Sequence, residues 1–239
     1  MIKNVTQKFI DFNLKISGKI FPEKFNNLLK KFLTVEVVLY IFFGVLTTVV
    51  NIGSFAGDLR VKHRRALGLR YVPEQRLGEA TVPEMSLESN TLLTSNLFLA
   101  KGFMRNKMIA RFTRSIIEKF HVRCGGPKAP AESLSGGNLQ KFIVGRELLH
   151  NPKVMVLNQP TWGVDAGAAT LIRNALIRQR SGGSAILVVS EELDELFEIC
   201  DELVVMSEGK ISPQVKTKDV SVEEIGRWMS GLWPEAKEQ

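Results

Sequence analysis

Short apolar runs alternate with helical patterns through residues 58–239. Four runs rich in β-branched residues are bounded by Gly, Pro, Asn or Asp, and they predict buried strands at 69–72, 154–157, 185–189 and 203–206. Between them, apolar residues at helical spacing predict helices over 97–120, 139–150, 166–178 and 191–200. Strands that alternate with helices are typical of a parallel sheet, so the pattern predicts an α/β domain at 58–239.

Residues 37–57 have a different pattern, because they form an unbroken run without a charged side chain. A helix of that length spans about 30 Å, which matches the hydrocarbon core of a bilayer. Soluble proteins rarely keep such apolar character beyond about 14 residues. The run therefore predicts one transmembrane helix at about 37–57, within an N-terminal segment 1–57 that is separate from the α/β domain.

The charges are distributed unevenly along the chain. The 239 residues include 32 Lys or Arg and 25 Asp or Glu, which gives a formal net charge of +7. The excess lies in residues 1–65, which flank the apolar run, whereas residues 66–239 are electroneutral. This distribution does not favour a nucleic-acid partner. For the basic stretch before the run, an amphipathic interfacial helix and a solvated tail both stay open.

The cysteines and histidines do not form a pattern that binds metal. Cys124 and Cys200 lie far apart in the sequence and belong to no CxxC or Cys/His cluster. We expect both to be reduced thiols, and we predict no metal site.

The segment LSGGNLQK at 134–141 is the most informative string in the sequence. It places Gly136 and Gly137 directly before a predicted helix, where glycine lets backbone N–H groups approach an anion closely. The helix N-terminus adds partial positive charge, and the Ser135 hydroxyl is a further donor. An apolar strand, the string NQPTWGVD at 158–165 and a strand ending at Ser190 then follow. Their order and spacing indicate a phosphate-binding protein.

In this order the motifs resemble the ATP-binding domain of ABC transporters, with LSGGNLQK as the signature motif, over roughly residues 60–233. The strings YVPEQR at 71–76, VPEMSL at 82–87 and QPTWGVD narrow the resemblance to the second, C-terminal ATPase half of importers for simple sugars or nucleosides. The resemblance implies ATP and Mg²⁺, held between the phosphate loop of one domain and the signature motif of another. It also implies a second ATPase domain and permease subunits as partners.

Several catalytic parts of that family are replaced in this sequence. The phosphate-loop pattern G-x-x-x-x-G-K-[ST] does not occur in the 239 residues. Asn158 and Gln159 stand where the family has Asp and Glu, and a neutral amide is neither an anionic Mg²⁺ ligand nor a general base. Ser190 takes the position of the switch histidine. Glu74 takes that of the γ-phosphate-sensing glutamine, although the neighbouring Gln75 leaves this assignment open.

Other family positions are retained. The resemblance implies that the signature residues reach ATP held by a partner domain, and that two loops couple the sites. The implied nucleotide-binding residues are Ser135, Gly136, Gly137 and Gln140, and the coupling residues are Glu74, Gly163 and Asp165. We therefore expect no ATP hydrolysis by this chain alone, with ATP and Mg²⁺ held only through a partner. Loss of the strands that precede residue 60 in the family further predicts an unpaired strand edge.

The segment from about Leu29 to Phe55 resembles the first membrane helix of the GtrA-like family of polysaccharide synthesis, on the string FGVLTTVVN at 43–51. Only one of that family's four helices is covered. Our preferred interpretation is a truncated, inactive ABC ATPase half, held at the cytoplasmic membrane by one helix in the bilayer, with its ATPase-like part in the cytoplasm. Two alternatives stay open: a non-functional fusion of unrelated gene pieces, and a GtrA-like membrane fragment.

Overall fold

The computed structural model describes residues 37–41, 61–95, 98–100 and 103–233. The strands in these residues are β1 (Val37–Ile41), β2 (Leu69–Val72), β3 (Leu99–Ala100), β4 (Phe103–Met104), β5 (Val154–Asn158), β6 (Ala185–Ser190), β7 (Glu202–Ser207), β8 (Lys210–Ile211) and β9 (Val215–Lys216). The α-helices are α1 (Val61–Ala66), α2 (Leu87–Leu93), α3 (Asn106–Lys119), α4 (Gly136–Leu148), α5 (Ala166–Ser181), α6 (Leu193–Ile199) and α7 (Val222–Met229). Ala131–Ser133 and Thr217–Asp219 form 3₁₀ turns.

The central sheet has the strand order β2-β5-β6-β1-β7-β8, and β9 also pairs with β7. Strands β2, β5 and β6 are parallel, which confirms the predicted parallel α/β sheet. All four predicted strands are present, as β2, β5, β6 and β7. Because β2, β5 and β6 run in one direction, their carboxyl ends meet at one edge of the sheet, where ligands of open α/β sheets usually bind.

Strand β1 contradicts the predicted membrane helix at its first residues. Val37–Ile41 form a strand between β6 and β7 and run antiparallel to both. An apolar run suits a strand that is covered on both sides as well as a helix in a bilayer, and periodicity alone does not separate the two. Residues 1–36 and 42–60, which hold the rest of the predicted span and the GtrA-like string, lie outside the described residues. Among the described helices, none is long and apolar enough to cross a membrane.

Strand β1 occupies the position between β6 and β7, whereas β2, at the end of the order, has β5 as its one partner among the described strands. The predicted helix at 97–120 starts late, since the described residues before Asn106 form the β3–β4 hairpin. The other predicted helices are confirmed with shifted ends, and the signature helix α4 begins at Gly136 rather than at 139.

Helix α4 links the sheet to the helices inserted between β2 and β5. It packs against β2, α3 and α5. Its residues Phe142, Ile143 and Val144 are completely buried, as are Met155 and Leu157 of β5. The position of the signature motif is therefore fixed by the hydrophobic core.

Candidate functional site

The carboxyl edge of the sheet brings together the replaced catalytic positions. Glu74 follows β2, Asn158 ends β5 and Ser190 ends β6. The Nδ2 of Asn158 donates to Oε2 of Glu74 at 3.4 Å. The side chain of Glu74 therefore contacts the end of β5 in this structure.

Gln159 and Ser190 form the second contact at this edge. The backbone N–H of Gln159 donates to the carbonyl of Val189 at 2.8 Å, and the Ser190 hydroxyl donates to Oε1 of Gln159 at 3.3 Å. The Ser190 oxygen also accepts from the N–H of Glu192 at 3.1 Å, which fixes the start of the segment leading to α6. Gln159 has a positive φ of 50°, an uncommon conformation for a residue with a side chain. The edge thus has two hydrogen-bonded pairs of side chains, Asn158 with Glu74 and Ser190 with Gln159.

These residues do not fit a Mg²⁺ site of their own. Mg²⁺ is usually bound through one or two carboxylates together with substrate phosphates. Among these residues Glu74 is the one carboxylate, the amides of Asn158 and Gln159 carry no charge, and the 239 residues contain no phosphate-loop pattern that would hold the phosphates. Within the described residues, no group of three His, Cys, Asp or Glu side chains can hold a metal ion.

The signature motif forms the exposed N-terminus of α4. Ser135 is the N-cap residue, and its oxygen accepts from Nδ2 of Asn138 at 2.9 Å instead of capping the helix backbone. Ser135 and Gly136 are exposed, and Gly137 is partly exposed. The first N–H groups of a helix have no partner within the helix, so this end can offer donors and partial positive charge to an anion.

Gln140, which the resemblance implies as a nucleotide-binding residue, is buried in this structure. Gln140 is on the same helix as the two glycines of the signature motif, yet it is only 1 % exposed. Its Nε2 donates to the carbonyl of Pro160 at 2.8 Å, and its Oε1 accepts from Nε of Arg76 at 3.1 Å. Gln140 therefore positions the neighbouring loops and does not face solvent with the two glycines.

Arg76 is a site residue that the sequence analysis left without a role. Its Nη2 donates to the carbonyl of Trp162, and its guanidinium lies 5.9 Å from the centre of the Trp162 ring. A Cβ added at Gly136 would lie 2.7 Å from Nη1 of Arg76, so a larger residue there would require the guanidinium to shift. Burial lowers the pKa of Arg76 from its usual value. The one available signal in the sequence is a basic residue two positions after Glu74.

The loop that ends at Asp165 lies beside the signature motif. Gly163 has a φ of 62°, which glycine adopts without strain. Asp165 is the N-cap of α5, and its Oδ1 accepts from the N–H of Ala168 at 2.8 Å. This hydrogen bond is the main reason that the pKa of Asp165 is lowered. A Cβ added at Gly137 would lie 3.6 Å from the other carboxylate oxygen of Asp165. The predicted coupling loop and the signature motif are therefore in contact range.

A buried ionic network holds the other end of α4. Arg146 is 2 % exposed and donates through Nε to Oε1 of Glu147 at 2.8 Å. Its Nη1 and Nη2 donate to the carbonyls of Asn90 and Ala80 at 3.2 and 2.9 Å. The Nη1 of Arg70 lies 3.7 Å from Oε2 of Glu147. The network ties the signature helix to β2, to α2 and to the loop before α2.

Solved structures with the same fold are ATP-binding cassettes. The ATP-binding cassette MJ0796, in a dimeric post-hydrolysis state bound to ADP and Pi, superposes with a TM-score of 0.54 at 16 % identity, covering 67 % of this chain and 69 % of that one. An ATP-binding subunit of an ABC transporter superposes with a TM-score of 0.55 at 18 % identity, covering 76 % of this chain and 69 % of that one. The fold is thus that of an ABC ATPase.

Curated relatives narrow this class. The nucleoside import ATP-binding protein NupA of Lactococcus lactis is 37 % identical over 164 residues, which cover 67 % of this chain and 32 % of NupA. The ribose import ATP-binding protein RbsA 2 of Rhizobium meliloti is 33 % identical over 168 residues, covering 70 % of this chain and 33 % of the relative. The chain is homologous to ATP-binding proteins of sugar and nucleoside import.

The match is partial on the relatives' side, since the chain spans about a third of the length of the curated relatives it matches. No family model matches the sequence. The named relatives and structures are import ATPases and ATP-binding cassettes, and nothing among them supports the GtrA-like resemblance.

Proposed function

We propose that this chain acts as a C-terminal ATPase half of a sugar or nucleoside importer that donates its signature motif to ATP held by another ATPase domain. The open SGG terminus of α4, in contact range of the Asp165 loop, is the observation that carries this proposal. Ser135, Gly136 and Gly137 offer hydroxyl and backbone donors to phosphate oxygens. The loops that contain Glu74 and Asp165 couple the two ATPase domains to each other. They also couple these domains to permease subunits in the membrane.

The chain binds no ATP tightly and hydrolyses none by itself. Its edge holds Asn158, Gln159 and Ser190 in place of an acidic pair and a histidine, and its 239 residues contain no phosphate-loop pattern. A phosphate loop supplies the backbone cradle and the lysine that hold the β- and γ-phosphates. ATP and Mg²⁺ are accordingly held by the partner domain, and both domains work on the cytoplasmic side.

A mixing experiment tests the proposal. The purified chain alone should show no micromolar ATP binding in calorimetry. Mixed with a phosphate-loop ATPase domain encoded by an importer operon of the source genome, it should raise that domain's ATP turnover. Ser135→Arg places a bulky cation at the signature and should abolish the increase.

Ser181→Arg, at the exposed far end of α5, is the matched control and should keep the increase. Turnover that is unchanged by the chain, or equally changed by both variants, would overturn the signature-donor role. Micromolar ATP binding by the chain alone would overturn the inactive state.

A further inference from the structure

Two neighbouring strands of the sheet leave room for one more strand between them. The chain passes from β6 through α6 to β7, and β6 and β7 both run antiparallel to β1. They are therefore parallel to each other and one strand apart. Among the described strands, β1 is the connection between the group β2-β5-β6 and the group β7-β8-β9.

The backbone groups that face this position need a partner. Val188, Val189 and Ser190 of β6 are buried, and so are Leu203–Met206 in β7. A buried N–H or C=O without a hydrogen bond destabilises the fold, and an empty position would leave a row of them. The core of the sheet therefore requires an occupant at this place.

The segment VVLYI at 37–41 matches that requirement. It is uncharged, and Val, Ile and Tyr are among the residues most enriched in strands. It pairs over four residues with β6, where Val38 lies opposite Ser190. It pairs over five residues with β7, where Ile41 lies opposite Glu202. A strand buried among neighbours typically has such a continuous apolar sequence.

We propose that the position between β6 and β7 is a strand-binding groove, and that residues 37–41 of the same chain occupy it as an antiparallel donor strand. The N-terminal segment then has a function within the ATPase fold, which is to join the two groups of strands. Because β1 is antiparallel, its first residues lie at the carboxyl edge of β6, beside Ser190. The donor strand therefore also borders the candidate site, and its removal disturbs the Ser190–Gln159 contact.

Disulfide trapping tests the register and the origin of the strand. In a Cys124→Ser, Cys200→Ser background, Tyr40→Cys is combined with Val188→Cys or with Leu203→Cys, which are the residues opposite Tyr40 on the two sides. Mild oxidation should yield an intrachain disulfide in at least one of these pairs. The control pair Tyr40→Cys with Val205→Cys is two residues out of register and should remain reduced.

Hydrogen exchange gives a second measurement that does not depend on cysteines. Leu39→Pro removes a backbone donor from the middle of β1 and should speed exchange at 185–190 and 202–207 by at least tenfold. Leu39→Val, which keeps the donor, should exchange at the parent rate, and residues 69–72 should be unchanged in both variants.

Three results would overturn the proposal. A disulfide-linked dimer would assign the strand to a second copy of the chain. Linkage in the out-of-register pair, or in none of the pairs, would deny the described position. Exchange at β6 and β7 that does not respond to Leu39→Pro would show that residues 37–41 leave the groove unoccupied.

Discussion

The Nε of Arg76 donates a hydrogen bond to Oε1 of Gln140 across 3.1 Å, and this bond fixes the loop after β2 to the second turn of the signature helix. Gln140 extends the link to Pro160, and Arg76 extends it to Trp162. Three segments of the candidate site are thus held by one pair of side chains, one of which is buried.

Loss of the Arg76 side chain should release this arrangement. Arg76→Ala leaves the buried Oε1 of Gln140 without its donor, so we expect the free energy of unfolding to fall by about 1–3 kcal/mol. Arg76→Lys should not restore it, because an ammonium group does not reproduce the planar fork of donors. Urea unfolding measures the change. Arg178→Ala, at an exposed position of α5, is the control and should stay within about 0.5 kcal/mol of the parent.

Trp162 provides a local readout of the same variant. It is 58 % exposed and lies against Arg76. In a Trp228→Phe, Trp233→Phe background, Arg76→Ala should increase acrylamide quenching of Trp162. Unchanged quenching together with an unchanged urea midpoint would show that the contact does not hold the loop.

Gly145 should tolerate no side chain, because Phe120 at the end of α3 packs directly against this position of α4. A Cβ at this position would lie 2.5 Å from the ring of Phe120. We expect Gly145→Ala to destabilise the fold by about 1–3 kcal/mol through overpacking. Gly226→Ala in α7 is the matched substitution, since a Cβ there meets nothing within 4 Å. It should instead stabilise by about 0.5–1 kcal/mol through helix propensity. Thermal unfolding of both variants distinguishes packing from backbone effects, and equal shifts would contradict this account.

Arg146 should be among the most sensitive charged residues of the described fold. Arg146→Met removes the 2.8 Å partner of buried Glu147 and leaves Arg70 at 3.7 Å. Breaking a buried ion pair from one side costs about 3–5 kcal/mol. The partly exposed pair Arg173–Glu198, at 3.3 Å, is the comparison, and Arg173→Ala should cost no more than about 1 kcal/mol. Denaturant titration that ranks the two in the opposite order would refute the structural role of the network.

His150 should make the fold sensitive to acid. Burial, followed by the positive charges of Arg70, Arg146 and Arg65, lowers its pKa from 6.5 to about 3. The unfolded chain therefore takes up a proton between these values that the folded chain does not. The free energy of unfolding should fall as the pH drops below about 6.5, by at most about 1.4 kcal/mol per pH unit from this residue.

The substitution His150→Phe isolates this contribution. It keeps an aromatic ring against Phe112, whose ring is stacked on that of His150 at 4.8 Å, and it removes the proton site. Parent and variant are compared by urea unfolding at pH 7.5 and pH 5. The variant should lose less stability than the parent between the two values, and parallel curves would be the contrary result.

The sequence predicts the parallel sheet well, because β2, β5, β6 and β7 are short apolar runs between turn residues. The direction of the parallel strands brings Glu74, Asn158 and Ser190 to one edge of the sheet, and the family resemblance singles out these three residues. Val37–Ile41 were predicted wrongly as the start of a membrane helix. An apolar run has the same appearance in a bilayer and between two strands, and it is the pairing of these residues with β6 and β7 that distinguishes the two structures.

The polar contacts are what the sequence does not predict. Arg76 and Gln140 are 64 positions apart, and Arg146 reaches Ala80 across 66 positions. No local pattern marks such pairs, because they depend on how the helices inserted between β2 and β5 fold back onto the sheet. Gln140 accordingly belongs to the signature string, but its side chain is buried and positions the neighbouring loops.

The pairing of Leu69 with Val154 has a consequence for the time course of synthesis. Strand β2 leaves the ribosome before residues 73–153, and its partner β5 follows them. At about 5–20 residues per second this interval lasts roughly 4–16 s, and closing a loop of about 80 residues costs roughly 4 kcal/mol of chain entropy. Helices α2 to α4 depend on more local contacts and can form first. The speed of translation through residues 73–153 therefore sets how long β2 is exposed to pairing with another nascent chain.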